Sequence, residues 1–549
     1  MATTVIQHVL ARLREIGIAD VFGVPGDFSF PVCDAICLDP AMRWIGCCNE
    51  LNAAYAADGY ARIKGIGALC TTYGVGELSA LAGIAGAYAE HLPLFHLVGM
   101  PGKSLQVGRA LMHHTLGNGE YDLFYRMTQP VVCARAIMTP QNVVFETERL
   151  ISEALYHRRP VYMAFPADLA TQPVLGSPVS PPAPPRSDPA SLEAATDAII
   201  ATLKSATNAC ILPDILVARA GLRTVTQSLI DASNLPFATM FMGKSVLDER
   251  QPNYMGMYAG TLMSEEVRVF VENCDCILNI GSLMTDFNTG AFTARIPAGR
   301  VIDITHHHVK VNGKIYTNIE IGDILATLAR RLPKRPSQKH PIPSTLGAIS
   351  ASNNDIITAA ALYPRWEKFL RKDDVLVAEI GTASMGMGFA HLPAGTTFCN
   401  QTLWGSIGWA TPAAFGAAIA APDRRLVLIT GEGAHQLTVQ EVSQFARFGL
   451  QPLIFVINNA GYLIERLLCK DPAIAYNDVA AWQYAKLPQA LGCEGWFTAR
   501  VATCAELDQA LATASQATSG VYIEVVTDPN TAPPFAMKLH DSIQSLYSK

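Results

Sequence analysis

Charge is scarce in this chain of 549 residues: Asp, Glu, Lys and Arg make up 16% of it, against about 25% in an ordinary soluble protein. Hydrophobic residues fill 50%, so much of the surface is expected to be buried between subunits. There is no run of basic residues and the net charge is -6, which leaves no electrostatic footprint for nucleic acid or an anionic membrane and argues against both as partners. Residues 1–15 read as an amphipathic, charge-bearing helix without the apolar centre and cleavage site of a signal peptide. The most apolar region, 408–422, is short and interrupted by proline, so it reads as a core helix instead of a membrane span. The thirteen cysteines are odd in number and scattered, and no Cys-x-x-Cys pair offers a metal site; reduced thiols in a cytoplasmic protein are expected.

What is present is organised by two proline-rich stretches. Residues 177–189 are too rich in proline for a helix or an inner strand, and 332–344 mix prolines with basic residues in the same manner. They divide the chain into three segments of ordinary domain size, 1–180, 190–335 and 350–549. Each alternates apolar runs with helical spacing, which predicts an α/β protein of three doubly wound parallel-sheet domains. Strands are expected at 21–24, 44–48, 69–72 and 94–98, at 210–216, 237–242, 276–280 and 301–304, and at 375–379; helices are expected at 51–62 and 356–370.

The stretch 425–465 is the most informative. Two β-branched apolar runs flank an amphipathic segment in which Val439, Val442, Phe445, Ala446 and Phe448 recur at helical spacing, so it reads as a β-α-β unit. A right-handed crossover delivers both strand ends to one edge of the sheet, which brings Glu432 and Asn459 together. A carboxylate, an amide oxygen and a nearby carbonyl suit a hard cation such as magnesium shared with phosphate oxygens. Gly431 and Gly433 let the backbone approach phosphate, and the helix beginning near Gln436 points its positive end there.

In the first segment the same logic gathers Asp27, Glu50, Thr72 and the loop 102–119 at the carboxyl edge of the sheet. That loop carries His113 and His114. Adjacent histidines in a loop are more often solvated than catalytic, and Glu50 has an alternative role opening the first turn of a helix, where the dipole favours it.

Gly431-Glu432-Gly433, 24 residues, then Asn458-Asn459 resembles the diphosphate-binding signature of thiamine diphosphate enzymes. The tail Asn-Asn-x-Gly-Tyr-x-x-Glu, with Pro25-Gly26-Asp27, Asn49-Glu50-Leu51, Thr72-Tyr73-Gly74-Val75-Gly76 and His113-His114-Thr115, resembles the 2-oxo acid decarboxylases: the pyruvate, indolepyruvate and branched-chain enzymes. One letter departs, since that family normally has Asp where this chain has Glu432. The extra methylene moves the carboxylate by about one carbon-carbon bond.

The resemblance implies a role for each matching residue. Glu432, Asn459 and the Gly461 carbonyl would hold Mg2+ on the diphosphate of thiamine diphosphate, helped by Gly381, Thr382, Gly433 and Ala434. Thr72 would contribute to the pyrimidine side, Ile407 would wedge under the cofactor, and Gly405 would offer its carbonyl to the aminopyrimidine. Glu50, supplied by a second copy in a homo-oligomer, would favour the tautomer that generates the ylid. Asp27, His113, His114 and Glu465 would handle protons after carbon dioxide leaves, work suited to positioned carboxyl and imidazole groups. The substrate side chain would meet Phe287, Ile380, Ser384, Met385 and Ile464. Less bulk at Ser384 and Met385 than in pyruvate-specific relatives implies a broad acceptor of linear, branched or aromatic 2-oxo acids. Alternatives are a pyruvate-specific enzyme, a carboligase of the acetolactate synthase kind, and a binding protein on the same fold that has lost its chemistry. The helix expected over 533–547 is where the family closes its pocket.

Overall fold

The computed structural model describes residues 3–177, 179–530 and 532–543 of the 549. Three sheets are built in chain order. The first contains β1 (Asp20–Gly23), β2 (Arg43–Gly46), β3 (Gly67–Thr72), β4 (Leu94–Met100), β5 (Ala134–Ile137) and β6 (Val161–Pro166), ordered β2-β1-β3-β4-β6-β5 with every pairing parallel. The second contains β7 (Ala209–Pro213), β8 (Phe237–Thr239), β9 (Tyr254–Met257), β10 (Cys276–Ile280), β11 (Val301–Ile304), β12 (His308–Val311) and β13 (Lys314–Thr317), ordered β13-β12-β11-β10-β7-β8-β9. The third contains β14 (Val375–Ala378), β15 (Thr397–Cys399), β16 (Leu426–Gly431), β17 (Leu453–Asn458), β18 (Phe497–Val501) and β19 (Val521–Val526), ordered β15-β14-β16-β17-β19-β18, again all parallel. β3, β4 and β7 are buried along their whole length, as a sheet covered on both faces requires, and the polar Thr71 and His96 on β3 and β4 pair with each other at 2.9 Å.

The second sheet departs from the expectation at one edge, where β11-β12 and β12-β13 pair antiparallel. Asn312 and Gly313 turn the hairpin with φ of 49° and 82°, the positive-φ pair that a tight two-residue turn demands. The strand expected over 210–216 stops at Pro213, and a short helix, Ile215–Arg219, takes over. An apolar run of that length does not by itself distinguish strand from helix. Likewise the expected 237–242 strand ends at Thr239, because a turn closes from Gly243 N–H to the Met240 carbonyl.

By packing, the chain divides into two compact bodies: Met1–Pro184 with Gly408–Asp423 and Thr438–Leu450, and Pro185–Ile407 with Arg424–Leu437 and Gln451–Lys549. In the first body the helix Ala410–Ala420 is buried along its whole length, as a core helix should be, and lies against the helix Glu50–Lys64. The two backbones touch: a Cβ on Gly59 would overlap the Ala413 carbonyl, and one on Gly416 would overlap the Ala56 carbonyl. No described helix is long and apolar enough to cross a membrane. The C-terminal helix runs Pro534–Ile543, and residues 544–547 of the expected one lie outside the described residues.

Candidate active site

In the second body β16 and β17 are parallel neighbours, with Gly431 opposite Ile457, so the residues that follow each strand emerge side by side. Glu432 opens the next helix, Glu432–Thr438, which thus starts earlier than Gln436. Its carboxylate is buried, and Oε1 accepts the backbone N–H groups of Asn459 at 3.0 Å and Gly461 at 2.9 Å. Burial pushes the Glu432 carboxyl up to about 7, although those backbone donors and nearby Arg466 pull the other way. Arg466 ties the same loop down, donating to the Asn459 carbonyl at 3.0 Å and to the Ala460 carbonyl. The two asparagines divide their work: Asn458 donates to Glu524 at 2.8 Å, while Asn459 turns its amide toward Glu432.

With its nitrogen inward, the Asn459 amide donates to Glu432 Oε1 at 3.3 Å and to the Gly461 carbonyl at 2.7 Å. With its oxygen inward, three oxygens converge on one point, an arrangement a divalent cation stabilises. A buried carboxylate, an amide oxygen and a carbonyl are the donor set magnesium takes, so these residues fit the expected ion. Two glycines are obligatory here. Gly461 has φ 153° and a Cβ there would collide with Arg466, while a Cβ on Gly433 would overlap the Tyr462 ring. Gly381, at φ 105° and ψ -149°, adopts a conformation almost reserved for glycine where β14 hands over to the helix Thr382–Met387.

Beside this edge lies a cavity of about 310 Å3 with mainly apolar walls. Ile380, Gly381, Met385, Gly405, Ile407, Ile464, Glu465 and Phe287, all expected at the site, line it. Ser384 does not: it is fully buried and its hydroxyl donates to the Gly381 carbonyl at 3.2 Å, holding that turn instead of facing substrate. Phe535 and Leu539, from the C-terminal helix expected at the pocket, also line it, and Leu262, Asp286, Ala291, Phe292 and Leu468 complete the lining without having been picked out from the sequence. The wall carrying Phe287 is braced by aromatic pairs, Phe241 with Phe287 at 5.8 Å and Phe241 with Phe535 at 5.7 Å. Gly290, Ala291 and Phe292 are all left-handed, with φ of 60°, 56° and 60°. Ala291 N–H to the Asp286 carbonyl at 2.7 Å and Phe292 N–H to Thr289 Oγ1 at 3.1 Å hold this turn against a backbone cost of order 1–3 kcal/mol for each of the two non-glycine residues. Glu465 sits in the first turn of the helix Leu463–Leu468, its side chain at the cavity.

The first body carries five more of the expected residues, Asp27, Glu50, Thr72, His113 and His114. Asp27 follows β1, and its Oδ2 lies 2.7 Å from His113 Nε2, with Oδ1 3.9 Å from His114 Nε2. Burial alone would raise the Asp27 carboxyl; the hydrogen bond and charge of His113, with the Phe28 N–H and His114, hold it below the usual range. Glu50 is the first residue of its helix, and Asn49 caps it by accepting the Asn52 N–H at 2.8 Å. Its Oε1 packs over Gly76, where a Cβ would stand 3.2 Å away. Thr72 ends β3 with its hydroxyl buried and without a hydrogen-bond partner among the described residues, a polar atom that an incoming group can satisfy. Sequence reasoning missed Glu441, whose buried carboxylate accepts the Cys48 N–H at 3.2 Å and the Asn52 amide at 2.7 Å, clamping the turn that delivers Glu50.

Three family models match consecutive parts of the chain: the N-terminal TPP binding domain of thiamine pyrophosphate enzymes over residues 3–119, the central domain over 196–331, and the C-terminal TPP binding domain over 379–525. Over 529 residues, 95% of this chain and 92% of its relative, it is 40% identical to an alpha-keto-acid decarboxylase of Mycobacterium leprae (strain TN). The chain belongs to the thiamine diphosphate-dependent 2-oxo acid decarboxylase family. A second relative named alpha-keto-acid decarboxylase, from Mycobacterium ulcerans (strain Agy99), is 40% identical over 547 residues, 98% of this decarboxylase-family chain and 96% of its own length. The fold is shared with the crystal structure of benzoylformate decarboxylase from Polynucleobacter necessarius, at TM-score 0.80 and 18% identity over 96% of this chain and 99% of that one.

Proposed function

We propose that this family member is a thiamine diphosphate- and magnesium-dependent decarboxylase that converts 2-oxo acids with sizeable apolar side chains to aldehydes and carbon dioxide. The observation that carries the reading is the convergence of Glu432, Asn459 and the Gly461 carbonyl at the sheet edge whose neighbouring residues Ile380, Gly381, Ile464 and Glu465 line an apolar cavity. The names of its relatives support the same chemistry.

Bound thiamine diphosphate supplies the electron sink for the pair released when carbon dioxide leaves. The protein's share is positioning, drying and proton handling. Glu432, Asn459 and Gly461 would hold the magnesium, with Gly381, Thr382, Gly433 and Ala434 around the diphosphate. Ile407 and Ile464 would press on the cofactor's centre, Gly405 would accept from its amino group, and Thr72 and Glu50 would serve the pyrimidine. Glu50 would come from a second copy of the chain, which makes a homo-oligomer part of the proposal. The apolar lining of Leu262, Phe287, Met385, Leu468, Phe535 and Leu539 favours loss of a charged carboxylate. Asp27, His113, His114 and Glu465 are the groups able to give and take the protons needed to release aldehyde.

The three segments 1–180, 190–335 and 350–549 would act as pyrimidine-binding, central and diphosphate-binding domains. A cytoplasmic setting is supported by all thirteen cysteines being free thiols. The test is an aldehyde-coupled assay over pyruvate, 2-oxoisovalerate, phenylpyruvate and indolepyruvate, with and without added cofactor and magnesium. Absence of aldehyde from every acid, or acetolactate-type products in its place, refutes the reading.

A further inference from the structure

Asp27, His113 and His114 present one carboxylate oxygen and two imidazole nitrogens within 4.8 Å of one another. The separations are 2.7 Å from Asp27 Oδ2 to His113 Nε2 and 3.9 Å from Oδ1 to His114 Nε2. A tetrahedral zinc with bonds of about 2.0–2.1 Å places its donors roughly 3.3 Å apart, a value between those two. Seating an ion asks for torsional adjustment of Asp27 and His113, both exposed, and of the half-buried His114; the three donor atoms already lie within 4.8 Å of one another.

The rings are held close to that geometry beforehand. His113 lies stacked on Phe28 at 4.8 Å and 14°, and the Phe28 ring meets His114 edge-on at 5.9 Å. His114 takes a left-handed backbone, φ 59°, and its carbonyl is wedged so tightly against Gly74 that no Cβ fits there. Preorganised donors spare an incoming ion the entropy of gathering them. All three side chains are solvent-accessible, which gives the ion an entry path and leaves a coordination position for water.

We propose that Asp27, His113 and His114 form an inhibitory site for a borderline divalent cation, Zn2+ in the first place, distinct in chemistry from the all-oxygen set at Glu432. Two nitrogens and one carboxylate select zinc, cobalt or copper, whereas magnesium keeps to oxygen donors, so saturating magnesium leaves this second site free. Binding engages both Nε2 lone pairs and replaces the His113–Asp27 hydrogen bond with metal bonds. The three groups then can no longer carry protons, and turnover falls. Only this inhibitory consequence rests on the decarboxylase reading; binding of the ion does not.

The experiment uses the full-length protein saturated with magnesium and thiamine diphosphate. Co2+ is titrated while the visible d-d bands are followed, and Zn2+ is then added to displace it. One cobalt per chain is expected, without the near-ultraviolet charge-transfer band of a thiolate ligand. Asp27→Asn and His113→Gln should each weaken binding roughly tenfold or more, since even outer partners of metal ligands are worth that much. Unchanged affinity in both variants, or a thiolate band placing the ion on cysteine, overturns the site. Zinc that binds with the expected stoichiometry but leaves aldehyde production undiminished overturns its inhibitory role.

Discussion

Glu441 Oε2 accepts a hydrogen bond from the side-chain amide of Asn52 at 2.7 Å, although 389 positions separate the two along the chain. Its second donor, the Cys48 N–H, lies two residues before Glu50. A buried carboxylate thus stands behind the turn from which Glu50 projects. Replacing Glu441 with alanine orphans the buried Asn52 amide, at a cost of about 1–3 kcal/mol, and the part-buried Cys48 N–H at a smaller one. A lowered melting temperature is expected, together with a fall in kcat larger than the fall in folded protein. Glu441→Gln should recover part of the stability. Thermal unfolding and steady-state assays on both variants check this, and full activity in Glu441→Ala would show that the turn needs no such support.

Magnesium affinity should depend on pH through Glu432. Its carboxyl is pushed up to about 7, above the ordinary 4.5, so the cation-free fold favours the protonated form. Fold stability in the absence of metal is therefore expected to fall as pH rises from about 4.5 towards 7, by a few kcal/mol at most. Magnesium binding must release that proton. Its affinity should weaken about tenfold for each pH unit below 7 and level off above it. Calorimetric titrations between pH 5.5 and 8 in the presence of thiamine diphosphate test the slope; a flat profile contradicts the assignment, and Glu432→Gln should abolish the pH dependence together with most of the affinity.

Glu465→Gln keeps the size of the side chain and removes its proton chemistry. Aldehyde release should slow by roughly 10²–10⁴, the usual worth of a positioned acid or base, with cofactor binding intact. Near-full turnover in this variant would remove Glu465 from the mechanism.

Leu468→Trp should narrow the cavity without touching the Glu432–Asn459 edge. kcat/KM for phenylpyruvate and indolepyruvate is expected to drop by tenfold or more, the scale of a few methylenes' worth of pocket, while pyruvate is spared. A wild-type enzyme with an overwhelming preference for pyruvate would defeat the argument from cavity size at the outset.

The parallel sheets and the Glu432–Asn459 edge were legible because period, strand length and crossover handedness are local or nearly local properties. The antiparallel edge was legible as well, in Asn312-Gly313, a turn signal passed over among longer patterns. Ser384 was expected at the pocket from the resemblance alone, which does not say which side of the short helix Thr382–Met387 faces the cavity; its hydroxyl meets the Gly381 carbonyl and it does not line the cavity. Leu262 and Leu468 come from two distant stretches and look like any core leucine until the chain is folded, whereas Phe535 and Leu539 lie in the C-terminal helix that the resemblance had already put at the pocket. Glu441 was hidden for the same reason, since nothing near it in sequence shows that its partners lie at residues 48 and 52.

The bare crossing of the helices Glu50–Lys64 and Ala410–Ala420 sets a limit on how this lineage can diverge. Where side chain meets side chain, as in the cavity walls, one can adjust to a change in the other. At Gly59 and Gly416 the obstacle is main chain, so any larger side chain at either position must prise the two helices apart.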